Sequence, residues 1–174
     1  MNKNKQILFL HGWSSDGGTK TMFLRGAGYD VTTPALSDLC FWRAVSQARS
    51  AYDDLQPDVL VGSSRGAAVA MNLDAKHTPM VLLAPAWKSW GKATSIKNAA
   101  SCIIIHSPKD DLVPFSDTLE LSQNSPGVAV IPGGIDHRLN CVCSSSYESS
   151  TTNSLRSSRG RHNFIQTTPM RQSH

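Results

Sequence analysis

The sequence lacks any apolar run of the roughly 20 residues needed to span a bilayer. Its first apolar run, Gln6-Ile7-Leu8-Phe9-Leu10, follows Met1-Asn2-Lys3-Asn4-Lys5 and ends in His11-Gly12. It is too short for the core of a secretory signal and reads as a first strand. Cysteine is scarce, with 4 in 174 residues. Cys40 and Cys102 lie in apolar stretches and read as small buried hydrophobes. Cys141-Val142-Cys143 has no second pair at metal-ligand spacing, which argues against a zinc or redox centre. A soluble protein of the reducing cytoplasm is expected, with no membrane partner. Charged residues make up only 17%, and the net charge is +4. Arg156, Arg159, Arg161 and Arg171 against Glu148 leave the first 140 residues at +1. That is no basic stripe on a folded face, so nucleic acid is not an expected partner. Internal repeats are also absent.

What is present is a succession of short apolar runs with helical segments between them. The strand candidates are Ile7–Leu10, Asp30–Thr33, Val59–Gly62, Met80–Leu83, Cys102–His106 and Val128–Ile131. Most are continuous rather than alternating, as in parallel strands buried on both faces. The helix candidates are Thr19–Gly26, Phe41–Leu55, Arg65–Ala75 and Ser116–Gln123, with Ala99-Ala100 leading into the fifth strand. In Phe41–Leu55 the residues Ala44, Val45, Ala48, Ala51, Tyr52 and Leu55 recur at helical spacing. Trp42 is expected in the core of that helix, and His77 in a solvated turn. The pattern predicts a parallel α/β sheet of about six strands with right-handed crossovers and helices on both faces. After Asn140 the composition turns abruptly to Ser, Thr and Arg without any period, and cannot bury enough apolar surface to order itself. The expected organisation is therefore one domain over 1–140 and a tail over 141–174. The abruptness favours a change of reading frame near residue 140 over a disordered tail or an added end. A sheet ending at Val128–Ile131 would ordinarily be covered by one more amphipathic helix, and none follows.

The most informative segment is Gly62-Ser63-Ser64-Arg65-Gly66, between Asp58-Val59-Leu60-Val61 and Ala67-Ala68-Val69-Ala70-Met71. An apolar run meets an Ala-rich run with almost no loop, and a Ser at the bend has Gly two residues before and two after. That is the form of a nucleophile elbow: strained backbone at Ser64, and neighbouring chain too close for side chains at either Gly. Functional groups of a doubly wound sheet gather at the carboxyl ends of the strands. The first strand is followed by His11-Gly12-Trp13, the fifth by His106-Ser107-Pro108-Lys109-Asp110-Asp111-Leu112-Val113-Pro114, and the sixth by Pro132-Gly133-Gly134-Ile135-Asp136-His137-Arg138-Leu139. The order is Ser, Asp, His. A phosphate-loop reading of Gly12–Thr21 fails, because Lys stands at 20 rather than directly after Gly17.

With these motifs the chain resembles the α/β-hydrolase superfamily in its small, nearly lidless form. The resemblance rests on Phe9-Leu10-His11-Gly12-Trp13, Gly62-Ser63-Ser64-Arg65-Gly66, His106-x-x-x-Asp110-x-x-Val113-Pro114 and Asp136-His137-Arg138-Leu139, and covers residues 6–140. It implies a catalytic triad of Ser64 as nucleophile, His137 as base and Asp110 as the acid that orients it. Asp111 competes with Asp110; otherwise it caps the helix after Pro114. Asp136 is expected to point away. The backbone N–H groups of Trp13 and Arg65 would form the oxyanion hole, in a loop shaped by His11 and by a Gly12 conformation closed to other residues. His106 is expected to pack at a strand end. Trp87 and Trp90 would wall an acyl substrate pocket or else pack at the surface. The Arg65 side chain reads as a helix-surface charge, with an acidic substrate group as its alternative partner. No metal or organic cofactor is implied. Residues 84–101 are too few for a cap domain, so an open site is expected. The implied activity is a serine hydrolase acting on a small-molecule ester, thioester or amide. The alternative is a catalytically weak binding or interaction protein that keeps the fold, which the missing last helix favours.

Overall fold

The computed structural model describes residues 4–13, 15, 18–75, 78–96 and 101–139. His77, Ala99-Ala100, Cys141-Val142-Cys143 and the tail after Asn140 lie outside the described residues. Every described element lies within the unit Met1–Cys143.

Six strands form one sheet: β1 (Gln6–Leu10), β2 (Asp30–Thr32), β3 (Val59–Ser63), β4 (Met80–Leu83), β5 (Cys102–His106) and β6 (Ala129–Pro132). Their spatial order is β2-β1-β3-β4-β5-β6, and every pairing is parallel. The continuous apolar runs are explained by this burial. Leu8, Phe9 and Leu10 on β1 have no exposed surface, and neither has Leu60 on β3 or Leu82 on β4. Among the described residues four helices accompany the sheet: α1 (Gly18–Gly26), α2 (Phe41–Leu55), α3 (Arg65–Met71) and α4 (Phe115–Gln123). The larger core gathers Ala44, Ala48 and Tyr52 of α2, Ala67, Val69 and Ala70 of α3 and Leu121 of α4 on one face of the sheet. Leu24 of α1 packs on the other face with Ile7, Phe9 and Val61. Helices thus lie on both faces. No helix interrupts the described part of the β4–β5 connection, and no separate cap is present among the described residues.

Several local expectations change. Helix α3 ends at Met71 rather than Ala75. Asn72 stops it, since its side-chain amide donates to the Ala68 carbonyl at 2.8 Å and its carbonyl accepts from the Lys92 N–H at 3.2 Å. Trp42 is half exposed rather than core. It stands two residues before Ala44, about 200° around the helix from the buried stripe. Cys40 is exposed at the start of α2, not buried, and the neighbouring Leu39 is fully exposed. Cys102 is buried as expected, and burial pushes its thiol pKa up to about 12. No described helix is long and apolar enough to cross a membrane.

Candidate active site

The chain enters the sheet at β1, turns one way to β2 and then returns to β3 on the other side of β1. The carboxyl ends of β1 and β3 therefore flank a topological switch point, where a crevice opens in sheets of this kind. Ser64 stands there, between β3 and α3, with φ 56° and ψ −118°. A non-glycine residue at that φ stores strain of about 1–3 kcal/mol and persists only when its surroundings fix it. They do so here. The Ser64 N–H donates to the Leu83 carbonyl at 2.8 Å, and its carbonyl accepts from Ala67 and Ala86 at 3.0 and 3.2 Å. The flanking glycines are required by close approach. A Cβ at Gly62 would lie 2.6 Å from the Ala67 Cα, and one at Gly66 would lie 2.1 Å from the Leu10 carbonyl oxygen. Gly12 is different from its expectation. Its φ is not left-handed, and a Cβ there would meet the Ser64 Cβ at an ordinary 3.5 Å. The proximity itself shows that the loop after β1 runs alongside Ser64.

The three candidate side chains come together from three connections. His137 Nε2 lies 2.9 Å from Ser64 Oγ, and His137 Nδ1 lies 2.7 Å from Asp110 Oδ2. A ring nitrogen facing a carboxylate carries the proton, so Nδ1–H donates to Asp110 and Nε2 is left to accept from the Ser64 hydroxyl. Asp110, not Asp111, holds this position. Asp110 Oδ1 accepts from the Leu112 and Val113 N–H groups at 2.9 and 2.8 Å. Burial alone would raise its pKa, but the Val113 N–H, the His137 ring and the Leu112 N–H together hold it below the usual carboxylate range. Asp111 is exposed, and no side chain caps α4, whose N-cap position is Pro114. The Asp136 carboxylate accepts from the Leu139 N–H at 2.9 Å and is thus engaged away from the ring. The loop carrying His137 is tied to β5: Gly133 N–H donates to the His106 carbonyl at 3.0 Å, and the buried Ser107 hydroxyl donates to Gly134 at 3.0 Å.

His106 does more than pack at a strand end. It is fully buried, with Nε2 at 3.0 Å from Asp110 Oδ2 and 3.1 Å from the Val113 carbonyl. Two acceptors facing Nε2 place the proton there, so Nδ1 accepts from the buried Thr118 hydroxyl at 2.7 Å. Burial lowers the His106 pKa, outweighing the opposite pull of Asp110. A neutral imidazole therefore braces the same carboxylate oxygen that His137 uses. The spacing His106-x-x-x-Asp110 marked this residue in the sequence, but nothing there indicated Thr118.

The aromatic expectations divide. Trp87 is core, with its indole N–H donating to the Asp117 carbonyl at 3.0 Å, so it packs onto α4 rather than at the surface. Trp90 packs against Trp13 edge-on at 5.4 Å and stacks on Phe41 at 6.0 Å. Arg65 is not a surface charge. It is 1% exposed, because all seven residues of α3 are buried and the helix has no outer face. Its guanidinium lies against Trp90 and Phe41, residues far apart in the chain. Among the described residues, no group of three or more His, Cys, Asp and Glu is placed to hold a metal ion.

No protein-family model matches the sequence, and no curated protein matches it. Solved structures do match. Alpha/beta hydrolase domain-containing protein 10 from mouse is 16% identical with a TM-score of 0.64, over 89% of this chain and 92% of that one. Est1E from Butyrivibrio proteoclasticus is 14% identical with a TM-score of 0.62, over 88% of each chain. The ydeN gene product from B. subtilis is 16% identical with a TM-score of 0.61, over 88% of this chain and 100% of that one. At these identities the likeness is one of architecture, and with the parallel sheet and the strained Ser64 turn it establishes that the chain has the α/β-hydrolase fold.

Proposed function

We propose that the protein is a serine hydrolase that cleaves an ester or related acyl bond through an acyl-enzyme on Ser64. The observation that carries this reading is the continuous series Ser64 Oγ, His137 Nε2, His137 Nδ1, Asp110 Oδ2, with contacts of 2.9 and 2.7 Å. Fold alone would not support a reaction, since one fold hosts many. Structural relatives described as hydrolases and as an esterase domain are consistent with it.

In this reading Ser64 Oγ attacks the substrate carbonyl carbon and passes its proton to His137 Nε2. Asp110 stabilises the imidazolium. The oxyanion is met by the backbone N–H groups of Arg65, the first residue of α3, and of Trp13 in the loop after β1. His137 gives the proton to the leaving group. Water, activated by the same nitrogen, then attacks the acyl-enzyme, and the acid and free Ser64 are released. None of these steps calls on a metal or an organic cofactor. Among substrates, a carboxylic ester or a thioester fits best.

The test is labelling by a fluorophosphonate, which phosphonylates an activated serine. The full chain is expected to label, Ser64→Ala is not, and Ser64→Ala should lower kcat on p-nitrophenyl acetate by about six orders of magnitude. An unlabelled wild type, or equal labelling of both, overturns the assignment.

A further inference from the structure

Arg65 follows the proposed nucleophile and is buried with most of its hydrogen-bond donors unmatched. Its Nη2 donates to the Ser37 carbonyl at 2.6 Å, while Nε and Nη1 have no hydrogen-bond partner. A guanidinium has five N–H donors. Burying unsatisfied donors on a cation is costly, so such a group calls for an explanation. Burial lowers the Arg65 pKa, and the support from Asp38 does not offset it.

The surroundings point to a ligand. Ser37 precedes α2, Phe41 opens it, Trp13 follows β1, Trp90 follows β4, and Arg65 itself follows β3. All these connections leave the carboxyl edge of the sheet, where Ser64 lies. The guanidinium carbon is 5.0 Å from the Trp90 ring centroid and 5.8 Å from that of Phe41. Those rings meet it through their π systems and offer its N–H groups no strong acceptor. One Nη2 hydrogen goes to Ser37, and the other lies on a fork with either Nε–H or Nη1–H. A carboxylate matches either fork with two parallel, charge-assisted hydrogen bonds. Trp13, in contact with Trp90, is also the residue whose backbone N–H would hold the oxyanion, so the aromatic group runs from the reacting carbonyl to the cation.

We propose that Arg65 is the anion-recognising group of this site, and that the acyl substrate carries a carboxylate that pairs with its free N–H donors. The proposal rests on the serine hydrolase reading. The donors are shut off from solvent in this state, so the ligand reaches them by displacing an aromatic wall. The rings lying over the guanidinium are those of Trp90 and Phe41.

The first test is independent of hydrolysis. In the full chain, glutarate is titrated against valerate while tryptophan fluorescence is followed, because Trp90 adjoins Arg65. Glutarate is expected to give a saturable change in wild type and in Ser64→Ala, a weaker one in Arg65→Lys and none in Arg65→Met. No saturable response in wild type, or an equal response to valerate, overturns the proposal. The second test locates the carboxylate. The p-nitrophenyl half-ester of glutarate is compared with p-nitrophenyl valerate for the acyl side. The acetate ester of para-hydroxybenzoate is compared with para-cresyl acetate for the leaving-group side. One carboxylate substrate is expected to be preferred by about tenfold or more in kcat/KM, with the preference lost in Arg65→Met. Equal kcat/KM within both pairs, in a chain that a fluorophosphonate labels, overturns the carboxylate assignment and leaves the hydrolase reading standing. An unlabelled chain that still binds glutarate does the reverse.

Discussion

Asp110 accepts four hydrogen bonds, from Leu112, Val113, His106 and His137, and only the last of these leads to Ser64. The other three fix the carboxylate independently of His137. His106 thereby acts as a positioning residue, itself held in one tautomer by Thr118. His106→Phe is expected to lower kcat by about tenfold with little change in KM, because a hydrogen bond to a charged group is lost. With the Asp110 charge no longer shared, the acid limb of the pH–rate profile should move upward. His106→Gln, which keeps a donor at similar reach, should restore most of both. An unchanged acid limb in His106→Phe would leave the residue a purely packing role. The same pair sets acid stability. His106 is held below the ordinary imidazole pKa, so as pH falls through about 6.5 the unfolded chain gains a proton that the folded chain refuses. Asp110 adds to this at lower pH, where its depressed pKa makes the folded state the slower to protonate. Melting temperature should therefore fall on acidification below about pH 6.5, and the first part of that fall should flatten in His106→Gln. An identical decline in both proteins would assign it to other groups.

The turn from β3 to α3 is the element that the sequence described most completely. Gly62 is needed by contacts within the bend and Gly66 by the close approach of β1, and Ser64 takes the strained conformation that such a bend demands. Gly66→Ala and Gly62→Ala are each expected to destabilise by about 2 kcal/mol or more, read from urea unfolding midpoints, because backbone atoms would have to move. Gly12→Ala should cost less than about 1 kcal/mol, its added methyl meeting only ordinary contacts. Equal losses at Gly12 and Gly66 would mean that the elbow is not the tight point. The boundary of α3 was less legible. The apolar pattern continues through Leu73 and Ala75, which are buried, but Asn72 turns its own amide onto the helix carbonyls, an ending that periodicity does not register.

Among the described residues, helices are unevenly distributed across the sheet. Helices α2, α3 and α4 contribute to one core face, and α1 to the other. On β5, Ile104 is fully buried, while Ile103, its neighbour on the opposite face, is 39% exposed, and Ile131 on β6 is 48% exposed. Ile104→Ala is therefore expected to cost about 2–5 kcal/mol, whereas Ile103→Thr and Ile131→Thr should stay within about 0.5 kcal/mol. Chemical denaturation would measure both, and a large loss at Ile103 would show that this face is covered in solution. By itself the sequence determined the six strands, their parallel pairing, the elbow and the order Ser64, Asp110, His137. Each is written in local apolar runs, turn residues and the succession of motifs after strands. Tertiary structure alone decided that Trp42 and Cys40 face outward, that Thr118 braces His106, and that the Arg65 guanidinium is buried beside Trp90 and Phe41. Burial and partnership of a side chain depend on elements distant in the chain, and no local pattern encodes which of them will meet.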